Sequence, residues 1–227
     1  MKREEAEQKF EQYREHLQAE TLRLSDYVEL YKHLHARKRD RLDEMNLAFG
    51  FFGVVFNALF SCLILWVNNL LEPRGERSFF NFLAFAEYNL EVFALSRLQE
   101  RRGYPDGHWM LQHDPITFES IKSDRNKLKR IKSLPHFRTR RDKFHAHFDK
   151  DYAFDKKKIA SDAPLNWSDL DEVVTVLGDI LNRYSAAYDG VVYALKDMRI
   201  HDVDTVLDIL YRYNQAELSH NLPSTGG

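Results

Sequence analysis

Asn46-Leu-Ala-Phe-Gly-Phe-Phe-Gly-Val-Val-Phe-Asn-Ala-Leu-Phe-Ser-Cys-Leu-Ile-Leu-Trp-Val-Asn-Asn-Leu-Leu71 contains no charged side chain. Its length would cross a bilayer, which needs about 20 apolar residues. Asn57 in the middle, Ser61 one turn on, and Asn68 and Asn69 near the end argue against lipid, where each needs a polar partner. The segments on either side carry apolar faces that need a common partner, and a helix apolar all round suits the middle of a bundle. The stretch therefore predicts a buried central helix and no membrane partner. Asn57 reads as a buried, hydrogen-bonded amide, the alternative being a group that reaches a cleft; Cys62 reads as a small core residue.

Working outward, residues 3 to about 43 predict one long helix with Leu17, Leu22, Leu24, Val28, Leu30, Tyr31 and Leu34 as its apolar set. It would serve packing and dimerisation. Glu72-Pro-Arg-Gly-Glu-Arg77 has turn chemistry, and Ser78 then caps a helix expected to reach Arg101. Asp114-Pro115 reads as a cap followed by an N1 proline, opening a basic helix to about Ser133. Leu134-Pro135 breaks it, and a new helix is expected from His136 to about Phe148. Asp151 to Trp167 reads as a polar connection. Ser168 with Asp171 resembles a capping box, opening a helix to Met198 on which Gly190 marks a bend, and Asp204 to about Leu218 is the last helix. The sum is an all-α, single helical bundle of about five to seven helices, residues 1–219, with 1–20 as a helical extension. Residues 220–227 form a flexible tail; Leu222-Pro-Ser-Thr-Gly-Gly227 matches the motif that sortases cleave and reads as an appended tag or a coincidence.

Composition agrees. The 227 residues are 44% hydrophobic and 30% charged, ordinary for a globular protein, with only 9 Gly and 6 Pro for turns. The single cysteine excludes an intrachain disulfide or a multi-cysteine zinc site, and the charged start is unlike a signal peptide, so a reducing cytoplasm is expected. The net charge of -2 conceals an asymmetry: Lys122 to Lys150 holds eleven Lys/Arg against three Asp/Glu, a surplus of +8, leaving -10 elsewhere. A basic segment in an acidic chain points to a polyanion, with Arg125, Lys129, Arg130, Arg138, Arg140 and Lys143 as the RNA-contacting set; the plainer reading is a solvated basic face.

Inside that segment lies Phe137-Arg-Thr-Arg-Arg-Asp-Lys-Phe-His-Ala-His-Phe-Asp149. Phe137, Phe144 and Phe148 fall at helical spacing, and Arg141 falls on the same line, where an unpaired arginine would be costly. Asp142, His145 and His147 stand beside it. Arginine fits phosphate oxygens and histidine titrates near neutrality, the two groups needed to drive RNA's own 2′-hydroxyl onto its phosphate. The products would be a 2′,3′-cyclic phosphate and a 5′-hydroxyl, with no cofactor required. On a straight helix Arg141 and His147 stand about 120° and about 9 Å apart, so one helix does not bring them together. A second copy across a twofold axis could, and His145, four residues on, shares the face of Arg141. Both histidines stay in play. A metal held by His136, His145, His147 and Asp149 is not expected, because His-x-His does not converge on one face.

Arg141 to His147, with Asp142 after the arginine, resembles the Arg-x(4–6)-His motif of HEPN domains (higher eukaryotes and prokaryotes nucleotide-binding). With Ala146, Asp149, the long uncharged helix before and two helices after, it is most similar to the abortive-infection U-type branch, over about residues 20 to 215. The resemblance implies a metal-independent endoribonuclease acting as a homodimer on tRNA or mRNA, a toxin in phage defence with an antitoxin or sensor protein as a further partner. It implies Arg141 as the phosphate-binding group, Asp142 as the polar orienter and His147 as the acid/base. Relatives often carry a modifiable tyrosine two residues after the histidine; Asp149 stands there, so that control is not expected. Some members of the family are not nucleases, which leaves a non-catalytic RNA- or nucleotide-binding or dimerisation module, or an ion-pair cluster that locks a dimer, as the other readings.

Overall fold

The computed structural model describes residues 2–112, 114–146, 156–195 and 202–220, the backbone alone for 144–146, 156 and 218–220. It is all-α, with no strand among these residues. The helices are α1 (Arg3–Asp40), α2 (Leu42–Leu47), α3 (Phe49–Leu70), α4 (Phe79–Tyr88), α5 (Leu95–Arg102), α6 (Phe118–Arg130), α7 (Leu134–Arg140), α8 (Lys156–Asp162), α9 (Trp167–Asp189) and α10 (Asp202–His220). Short 3₁₀ turns at Leu90–Phe93 and Trp109–Gln112 and a π-helical turn at Arg141–Ala146 complete the set.

Helix α1 is the spine. Ala6, Phe10, Tyr13, Leu17, Thr21, Leu24 and Val28 are buried at steps of three or four, the spacing that keeps one stripe facing inward. Against that stripe lie α3 and α9, and the main core joins Phe10, Leu17, Leu63, Ile64, Phe79, Phe82, Phe93, Phe137 and Tyr184. Edge-on ring pairs such as Phe10–Phe93 at 5.1 Å and Phe82–Tyr184 at 5.0 Å lock it, each worth about 0.5–1.5 kcal/mol beyond burial. A smaller core of Leu34, Met45, Phe52, Leu59 and Leu207 lies at the other end of α1. There α10 is held to α1 by Arg37, which grips Asp204 at 2.7 and 2.9 Å, and by His33 at 3.0 Å.

The structure corrects the expectation for α3. It is buried on one side only, through Phe52, Leu59, Leu63, Ile64, Val67, Asn68 and Leu70, while Phe49, Phe51 and Val54 near its start are 74%, 62% and 68% exposed. Val54, Ala58, Leu65 and Asn69 form an outward stripe that the uniform hydrophobicity conceals, because its neighbours cover one side only. Asn57 is exposed rather than buried, and Cys62 is half-buried. Among the described residues α3 is the one helix long and apolar enough to cross a membrane.

Several boundaries moved for local reasons. The helix expected from Ser78 to Arg101 breaks at Asn89, whose amide donates to the Phe85 carbonyl at 2.8 Å and competes with the main-chain ladder. Helix α6 starts after Thr117, not Asp114, because Thr117 and Ser120 cap each other reciprocally at 2.9 and 3.1 Å. Asn166 with Asp169 opens α9, two residues before the expected Ser168, and Gly190 ends it at φ 77° where a bend was expected. The connection from Asp151 to Trp167 contains α8.

Candidate functional site

Two rungs join α3 to the segment that carries Arg141. Asn68, buried, donates to the Ile64 carbonyl at 2.7 Å and across to the Phe137 carbonyl at 3.0 Å. Four residues further along both chains, Arg141 Nη1 donates to Glu72 Oε2 at 3.0 Å. Glu72 lies past the end of α3, so this second contact ties the end of α7 to the turn that follows α3. Glu72 is placed by the turn that follows α3: the Gly75 N–H returns to the Glu72 carbonyl at 3.0 Å, and a Cβ on Gly75 would sit 3.3 Å from it.

Arg141 is therefore held on two sides. Its Nε donates to Asp142 Oδ1 at 2.6 Å while Nη1 takes Glu72. The Asp142 hydrogen bond raises its pKa, with Glu72 adding to it against partial burial. A guanidinium so placed stays charged and half-exposed. It also stands where α7 widens into the π-helical turn Arg141–Ala146, whose i→i+5 bonds change the spacing assumed for a straight helix. Phe137, at the start of the stripe, is fully buried. His145 belongs to the turn by its backbone, and its side chain, like His147, Phe148 and Asp149, lies outside the described residues.

The basic set divides. Arg125 is tied to Glu87 at 2.7 Å, joining α6 to α4, and it holds that carboxyl below its ordinary value. Arg140 points the other way: Nε donates to the Ala163 carbonyl at 2.7 Å, the guanidinium lies 5.3 Å over the Phe60 ring, and burial lowers its pKa. His136 likewise meets a backbone carbonyl, that of Pro164, at 2.7 Å. Arg130 and Lys143 are exposed. Arg125, Lys129 and Arg138 come together around a pocket of about 530 Å³ whose other walls are Pro73, Phe80, Ala84 and Leu134.

Sequence reasoning missed Glu72, although it is the first charge after the uncharged stretch and lies one turn past Asn68. It also missed Asp124, fully buried in the basic helix. Asp124 accepts from Lys127 at 3.0 Å, Arg183 at 3.0 Å and the Tyr184 hydroxyl at 3.4 Å, pinning α6 to α9. Burial, reinforced by that carboxylate, pushes the Tyr184 phenol well above its usual range.

An all-helical chain with an arginine–carboxylate pair at a distorted turn late in the bundle has the setting of a HEPN domain. Residues 7–209 match the AbiU2 family of HEPN domains, and the chain belongs to that family. No curated protein and no solved structure matches it.

Proposed function

We propose that the protein is a metal-independent endoribonuclease acting as a homodimer, an effector of abortive infection in the cytoplasm. The observation that carries this reading is Arg141, fixed by Glu72 and Asp142 yet half-exposed, beside a pocket rimmed by cations. Its guanidinium would hold the charge that develops on a phosphate attacked by the neighbouring 2′-hydroxyl. A histidine, His147 or His145, would move the proton, and Asp142 would keep the arginine oriented. The 2′-oxygen bonds to phosphorus and the 5′-oxygen leaves with a proton, giving a 2′,3′-cyclic phosphate and a 5′-hydroxyl. The exposed apolar end of α3, with Leu47 on α2 and Ile209 on α10, supports pairing with a second copy, since such patches mark interfaces.

The test is cleavage of labelled tRNA and mRNA in excess EDTA by wild type, Arg141→Ala, His147→Ala and His145→Ala. The expected result is cutting with cyclic-phosphate ends, lost in Arg141→Ala and in one histidine variant, which ranks the two. Equal cutting by all four proteins, or binding without cutting by wild type, would reject the nuclease, the second outcome in favour of a binding module.

A further inference from the structure

The pocket beside Arg141 has a composition the cleavage chemistry does not use. Its floor is apolar and partly aromatic: Phe80 and Ala84 on α4, Pro73 from the turn after α3, and Leu134 at the start of α7. Phe80 packs against the edge of the main core yet is half-exposed, leaving part of the side chain to line the pocket. Its rim is cationic. Lys129 on α6 and Arg138 on α7 have no ion-pair partner among the described residues, whereas Arg125 is balanced by Glu87. Three helices each contribute two positions four apart, 80 with 84, 125 with 129, and 134 with 138, so each helix turns one face into the same space. The pocket adjoins the reacting group from two directions: Pro73 follows Glu72 directly, and Arg138 precedes Arg141 by three residues, neighbours on a helix surface.

We propose that this pocket is a nucleotide subsite for single-stranded RNA, taking a base on Phe80 and Pro73 and the adjoining phosphate on Lys129 and Arg138. An apolar floor with an aromatic ring and two uncommitted cations fits a group that is flat and apolar on one side and anionic on the other. The volume suits one such unit, within the range of about 300–1,000 Å³ usual for small-ligand pockets. A base inside a duplex presents no open face, so the strand must be single. The subsite rests on the proposed nuclease reading only for the nearness of Arg141; its binding is a separate property.

The test uses a fluorescein-labelled 2′-O-methyl oligouridylate, which cannot be cleaved, and inorganic polyphosphate, a polyanion without bases. Phe80→Ala should weaken the oligonucleotide by about 5- to 150-fold, the range for losing one stacked base, and leave polyphosphate unchanged. Lys129→Ala and Arg138→Ala should weaken both, and Phe80→Trp should restore the oligonucleotide. Oligonucleotide binding by Phe80→Ala equal to wild type would overturn the proposal. So would a change from dimer to monomer in Phe80→Ala by light scattering, which would make the pocket a protein interface. If Phe80→Ala fails to fold by circular dichroism, Arg138→Ala decides alone: unchanged oligonucleotide binding overturns the subsite. Wild type that cuts RNA while all variants bind normally would sink the subsite and keep the nuclease; Phe80-dependent binding without any cleavage would do the reverse.

Discussion

Asn68 is the place where one atom's chemistry decides how α3 and α7 fit. Its amide nitrogen donates to two carbonyls, one of them Phe137 on the other helix, while its own oxygen is buried without a partner. Asn68→Leu removes the cross-helix bond but also removes that orphaned oxygen. The Phe137 carbonyl keeps the Arg141 N–H, so the net loss should stay within about 1 kcal/mol. Asn68→Asp keeps the shape and reverses the chemistry, turning the donor into a second buried oxygen facing two carbonyls. An uncompensated buried charge costs about 3–5 kcal/mol. At about 2–4 °C per kcal/mol for a chain of this size, the midpoint should fall by roughly 6–20 °C, against a few degrees at most for Asn68→Leu. Differential scanning calorimetry of the three proteins at pH 7 measures this directly. If Asn68→Asp melts within about 2 °C of wild type, the amide is not the tie between the helices.

Three further outcomes follow from charge and backbone. Arg37, with His33, holds Asp204 down to about 2, so its stabilisation is complete above its ordinary value of 3.8 and is lost as pH falls toward about 2; Asp204→Asn should flatten the stability–pH curve in that window, measured by urea unfolding. His35 sits against Tyr31, Phe56 and Trp167, and burial, with Lys38 nearby, lowers its pKa below 6.5. The unfolded chain then binds the proton more readily, so its contribution is present above pH 6.5 and lost below; His35→Phe should reduce the drop in melting temperature between pH 7.5 and pH 5.5. Gly190→Ala places a Cβ at φ 77° and 2.7 Å from Met110 Cε, and should cost at least about 1–2 kcal/mol in calorimetric stability.

The helices were legible because burial of a helix stripe leaves a period in the sequence, as Phe10, Leu17, Leu24 and Val28 do in α1. That period is missing in α3, where apolar residues occupy both faces, so its exposed face could not be told from its buried face. The break at Asn89 depends on a side chain taking a carbonyl from the ladder, and Asn89 is otherwise an ordinary polar residue in an apolar run. For the site, Arg141 stood out in the sequence as an arginine on an aromatic line. Glu72, 69 residues earlier, did not, because only folding brings the two together. Likewise sequence shows the sign of Arg125 and Arg140 but not what they face, Glu87 and the Ala163 carbonyl.

That pairing changes how far the basic segment can be felt. Arg125 with Glu87 is, seen from a distance, a short dipole whose field fades faster than that of a lone charge, and Arg141 with Glu72 and Asp142 sums to one net negative charge, so neither cluster attracts a strand from afar. A strand drawn to this surface would sense mainly the side chains with no ion pair among the described residues, Lys129 and Arg138 included, and would meet Arg141 only on arrival. There a phosphate must displace or join a carboxylate before the guanidinium can serve it. On the proposed reading, discrimination at Arg141 would be exercised at contact range, after capture, by whichever ligand competes best with Glu72.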